Sequence, residues 1–131
     1  MHLTEVERAI LDFVAKENPD PELIAQIESL EVASREHTGV GLYTNFEFRN
    51  RDYVRRISSP RVPYPGPNLN SPDLEHGAGS VVWCGDDGFL SCIEIFSYSD
   101  QYPEGDFDFS IMSDGMPKTN QAEQVSGGNG G

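Results

Sequence analysis

Val40-Gly-Leu-Tyr-Thr-Asn-Phe-Glu-Phe-Arg49 is the stretch on which the fold turns. Val40, Leu42, Thr44, Phe46 and Phe48 alternate with Gly41, Tyr43, Asn45, Glu47 and Arg49. A period of two sends successive side chains to opposite faces, so the segment is a strand with one apolar, half-buried side. A hairpin signal follows downstream. Ser80 to Gly85 and Phe89 to Tyr98 read as strands on either side of Gly85-Asp-Asp-Gly88. If the loop is the two-residue Asp87-Gly88, Cys84 faces Ser91 and Cys92 faces Trp83. The two thiols then lie on opposite faces and stay free, as in a reducing, cytoplasmic setting.

Upstream the period changes to that of a helix. Thr4-Glu-Val-Glu7 fits a capping box, and Val6, Ile10, Phe13 and Val14 recur at helical spacing, which predicts a helix from about Thr4 to Glu17. Asn18-Pro19 stops it. Asp20 as N-cap and Pro21 at the first helical position start a second helix, whose apolar face is Leu23, Ile24, Ile27 and Leu30. Glu31 to His37 is a polar strand, and Phe107 to Met112 a short edge strand. The segment from Arg49 to Asp73 carries five prolines and cannot be a regular central element. These pieces give one α+β domain over residues 1–112. In it an N-terminal helical hairpin packs on one face of a four- or five-stranded, mainly antiparallel sheet, and the proline-rich segment passes over an edge or an end. Residues 113–131 are nearly all polar or glycine and read as a disordered tail.

The chain has 131 residues and a net charge of −13, unevenly placed. Residues 62–117 hold ten carboxylates and no lysine or arginine, whereas Arg49, Arg51, Arg55, Arg56 and Arg61 cluster just before them. Repulsion from phosphate argues against nucleic acid as a partner, and a basic protein is the natural counterpart. No apolar run is long enough to span a membrane. The N-terminal Met1-His-Leu-Thr-Glu5 lacks the basic-then-apolar order of a secretory signal.

Few residues suggest chemistry. Glu75 and His76, just before Gly77-Ala-Gly79, could supply an acid and a base. Adjacent residues on an extended chain point apart, however, so a structural lead-in to the hairpin is the simpler role. The glycines precede a strand and so do not make a phosphate-binding helix start. Glu94 lies among apolar neighbours and, if buried, calls for a partner such as one of the arginines between Arg49 and Arg61. Asp100, Glu104, Asp106 and Asp108 are dense, yet their spacing is not that of a calcium loop. Three histidines and two cysteines offer no zinc pattern. No metal or cofactor is expected.

Three stretches carry a resemblance: Leu3-Thr-Glu-Val-Glu-Arg-Ala-Ile-Leu11, Ser34-Arg-Glu-His-Thr-Gly-Val-Gly-Leu-Tyr-Thr-Asn-Phe46, and Leu74-Glu-His-Gly-Ala-Gly79 with its continuation through Gly88 to Tyr98. Together they resemble a family of small uncharacterised bacterial proteins with a Thr-Gly-Val-Gly strand and a Glu-His-Gly-Ala-Gly lead into a hairpin. The likeness spans most of residues 3–103. It departs at Phe96-Ser-Tyr-Ser99, and at Gln101-Tyr-Pro103, where a tryptophan would precede the proline. The resemblance implies shared architecture at Thr38–Gly41 and Glu75–Gly79 and brings no function with it.

Two functions follow as expectations. One is a non-catalytic binding protein, of the immunity or inhibitor type. It would meet a basic protein through Asp86, Asp87, Asp100, Glu104 and Asp106, with Tyr98 and Tyr102 as aromatic anchors. The alternative is a small hydrolase or metal-dependent enzyme built around Glu75, His76 and Glu94, which requires those side chains to converge.

Overall fold

A computed structural model describes residues 1–99, 101–103 and 107–112. The sequence expectations that fall on residues 100, 104–106 and 113–131, including Asp100, Glu104, Asp106 and the tail, lie outside the described residues. Helix α1 runs Glu5–Glu17 and helix α2 Pro21–Ser29. Thr4 caps α1 with a complete capping box: its hydroxyl accepts from the Glu7 N–H at 3.2 Å, and its own N–H donates to Glu7 Oε1 at 2.8 Å. Asp20 caps α2 through the Glu22 N–H at 2.9 Å, with Pro21 in the first turn.

Strands β1 (Glu31–His37), β2 (Gly41–Glu47), β3 (Tyr64–Pro65), β4 (Asn68–Ser71), β5 (Leu74–Cys84), β6 (Leu90–Ser97) and β7 (Ser110–Met112) follow. They form one antiparallel sheet in the order β1-β2-β6-β5-β4-β7, with β3 also on β5. The sheet is therefore larger than the four or five strands read from the sequence. The extra strands come from the proline-rich segment. Its prolines cut it into pieces too short to show a period, yet β3 and β4 lie end to end along the eleven-residue β5. Glu75 to Gly79, read as a lead-in, belongs to β5 itself, interrupted at Gly77.

The inward side of the sheet meets both helices. Ile10, Leu11, Val14 and Leu23 pack with Leu69, Ala78, Val82, Ile93 and Ile95, all at 1 % exposure or less. Thr44, in the middle of the apolar face of β2, is fully buried. Gln26 fastens α2 to what lies beneath it. Its Nε2 donates to the Arg55 and Gly88 carbonyls and its Oε1 accepts from the Leu90 N–H, each at 2.9 Å. The β5–β6 turn differs from the two-residue loop expected. Asp86, Asp87 and Gly88 form a longer turn, closed by Gly85 N–H donating to the Phe89 carbonyl at 2.9 Å, with Gly88 at φ +81°. A register shift next to Cys84 sets it opposite Leu90, while Cys92 faces Trp83. Both cysteines are free, Cys84 buried and Cys92 half-buried. Among the described residues no helix is long and apolar enough to cross a membrane.

Candidate functional site

The side of the sheet facing away from the helices is the most distinctive surface of the protein. Register fixes its rows. Ser34, Asn45, Cys92 and Trp83 are neighbours across β1, β2, β6 and β5, and Glu36, Tyr43, Glu94 and Val81 form the row beside them. Phe96 follows between Gly41 and Gly79. A side chain at Gly79 would run into the Phe96 ring and the Tyr98 hydroxyl, so glycine lets these two aromatics lie close over the strand. They meet edge to face at 5.9 Å.

Glu94 is the centre of this surface. Trp83 Nε1–H donates to Glu94 Oε1 at 2.9 Å, and the Tyr43 hydroxyl donates to Oε2 at 3.1 Å. Trp83 reaches it diagonally, a span that a long aromatic side chain covers. Glu94 is thus satisfied by neutral donors, and the arginine expected for it from Arg49–Arg61 is not its partner: among the described residues no salt bridge reaches it. The Tyr43 phenol is held above its ordinary value, first by its hydrogen bond to the Glu94 carboxylate and then by that charge. Glu36 is also oriented, its Oε2 accepting from Asn45 Nδ2 at 3.0 Å. At the foot of the surface Glu31 and Glu47 pair in register, and Arg49 reaches Glu31 at 3.0 Å.

The residues singled out from sequence are scattered. Glu75 and His76 are exposed, 3.7 Å apart, beside a shallow polar depression that includes Asp73, Tyr98 and Gln101. Glu94 sits opposite Val81, five residues along β5 from His76, which at about 3.3 Å per residue puts the two roughly 16 Å apart. The trio Glu75, His76 and Glu94 does not converge. Among the described residues no group of three His, Cys, Asp or Glu side chains could hold a metal.

Of the acidic residues proposed for binding, Asp86 is exposed at the hairpin tip. Asp87 is engaged by Arg51 at 2.7 Å, which together with the Phe89 N–H holds its carboxyl below the ordinary value. Arg51 also stacks on Phe89, 4.3 Å from the ring centre, so the arginine-rich segment and the acidic hairpin meet rather than stand apart. Tyr98 is 52 % exposed and donates to Asn68 Oδ1 at 2.6 Å. Tyr102 is not the exposed anchor expected. It is 6 % exposed, edge-on to Phe107, with its hydroxyl pushed up to about 12 by burial and by Glu7. It backs a groove of about 730 Å³ beside the start of α1. Its carbonyl lies 3.1 Å from His37 Nε2, while His37 Nδ1 accepts the Gly39 N–H at 3.1 Å, so the neutral Nε2–H tautomer satisfies both.

Tyr43, Asn45, Trp83 and Phe96 escape a sequence reading that looks for charge runs. The signal was present in the odd positions of β2, where Tyr43 and Asn45 stand on the side away from the core, but only the hairpin register sets Trp83 beside Glu94. No protein family, curated protein or solved structure is found to match the chain.

Proposed function

We propose that this chain is a non-catalytic binding protein, of the immunity or inhibitor kind, whose sheet face turned away from the helices receives a basic protein partner. One observation carries the reading. Glu36, Glu47 and Glu94 stand on that face among Tyr43, Trp83 and Phe96, and among the described residues no salt bridge neutralises any of the three. The surface is a sheet face rather than a cleft, whereas small-molecule sites are concave. Aromatic side chains fixed among carboxylates suit a protein interface, supplying contact area at low entropy cost together with charge that steers a basic partner in. Exposed Tyr98 extends the same aromatic row at its margin. The net charge of −13 favours the same class of partner.

Affinity for purified basic proteins, measured with the chain immobilised at low and at high salt, tests this. A specific partner binds with an affinity that falls as salt rises and drops about tenfold or more in the double variant E36K/E47K, a loss of ~1.4 kcal/mol. Equal, weak binding of every basic protein, or an unchanged affinity in the double variant, overturns the reading.

A further inference from the structure

Glu94 differs from the other carboxylates on the open face in that each of its oxygens is already held by a neutral donor. A carboxylate offers about four lone-pair positions. Trp83 uses one on Oε1 and Tyr43 uses one on Oε2, which leaves one on each oxygen. Two parallel N–H groups from a guanidinium fill that pattern, and a single ammonium nitrogen does not. The two donors also bring aromatic rings to either side of the carboxylate, surfaces on which a planar cation stacks. Glu36 stands in the same row beyond Tyr43, two strand spacings or roughly 10 Å from Glu94, and adds negative charge to the approach.

Resting on the binding reading above, the geometry points to Glu94, Tyr43 and Trp83 as a seat for an arginine side chain presented by the basic partner. The carboxylate takes the guanidinium in a two-bond fork, and Trp83 and Tyr43 flank it. Because both oxygens are oriented before the partner arrives, little side-chain freedom is lost on binding.

Trp83 is the single tryptophan of the chain, so its fluorescence and its indole N–H resonance report on this seat alone. The full chain is titrated with hexa-arginine and, separately, with hexa-lysine of equal charge. Hexa-arginine is expected to shift both signals at a concentration at least about tenfold below that needed for hexa-lysine. Glu94→Gln should abolish the difference. Tyr43→Phe, which keeps the ring and removes one of the two orienting donors, should reduce it, and Asp12→Asn, on the exposed side of α1, should leave it intact. Equal potency of the two peptides, with salt-dependent binding, overturns the arginine seat and leaves the basic-partner reading standing. An arginine preference that survives Glu94→Gln in a folded variant overturns the seat as well. No response of Trp83 to either peptide overturns both readings.

Discussion

Arg35→Met should destabilise the protein by about 3 kcal/mol at neutral pH. The reason is the setting of Glu7, which is fully buried at the third position of α1. Its carboxylate accepts from Arg35 Nε and Nη2 at 2.7 Å each, from the Thr44 hydroxyl at 2.6 Å and from the Thr4 N–H at 2.8 Å. Burial alone would raise the carboxyl pKa. The bonds from Arg35, Thr44 and Thr4 outweigh it and leave the group below its ordinary 4.5. Removing the guanidinium leaves an uncompensated buried charge, which costs about 3–5 kcal/mol, and the low end applies because a quarter of the Arg35 side chain remains in water. At roughly 4 °C per kcal/mol for a domain of this size, the melting temperature falls by about 12 °C. The pH dependence has a fixed sign. A carboxyl depressed in the folded state contributes stability above its unfolded value, and that stability is lost as the pH falls through the folded value. The gap between wild type and Arg35→Met should therefore narrow as the pH falls from neutral, first as the unpaired buried carboxyl of the variant takes up a proton and then, below 4.5, as the wild-type pair is lost. Glu7→Gln/Arg35→Met, which removes both charges but keeps an amide oxygen to accept from the buried Thr44 hydroxyl, should recover part of the loss. Urea unfolding at neutral pH and at about pH 3 measures all three proteins. A neutral-pH loss under about 1 kcal/mol, or a gap of the same size at both pH values, would show that Glu7 does not depend on Arg35 for its charge.

Three further outcomes follow from other contacts. Gln26→Leu fits the space but strands the buried Leu90 N–H, so it should cost about 2 kcal/mol in chemical denaturation; an unchanged midpoint would mean that water replaces the amide. Gly88→Ala places a methyl group 2.9 Å from the Arg56 Cβ in a left-handed backbone, with an expected loss of about 1–3 kcal/mol, whereas Gly39→Ala, also left-handed but in open space, should cost less. Tyr102, raised from 10.0 to about 12 mainly by burial, contributes stability that is complete below pH 10 and is lost as the pH climbs towards 12. Tyr102→Phe should flatten that alkaline fall, and ultraviolet difference titration should find Tyr102 among the last of the five tyrosines to ionise.

Local signals carried the helices and the central strands. Thr4 and Glu7, Asp20 and Pro21, and the alternation from Val40 to Phe48 each act within a few residues, so their consequences are written in the order of the chain. The proline-rich segment was illegible for the converse reason. A two-residue β3 and a four-residue β4 have no period of their own, and only the backbone of β5 makes them strands. Tyr102 looked like an exposed aromatic beside acidic residues, but it is sequestered because the chain after β6 folds back, with Tyr102 N–H donating to the Gly39 carbonyl at 2.9 Å.

Composition and near-neighbour patterns were enough for an acidic α+β chain, its two capped helices, and a β2 strand with an apolar and a polar side. Where the charges act depends on contacts between residues far apart in the chain, which the folded arrangement sets. It placed Arg35 on buried Glu7 and Arg51 on Asp87, so that two of the cations the chain carries are spent inside it. It also gave Glu94 the neutral donors Tyr43 and Trp83 from two neighbouring strands. Partners on separate strands are chosen by register, and register is set by the β5–β6 turn and by which face the helices bury. That long-range choice makes Glu94 a carboxylate oriented by neutral donors on the face away from the helices, with no ion pair among the described residues.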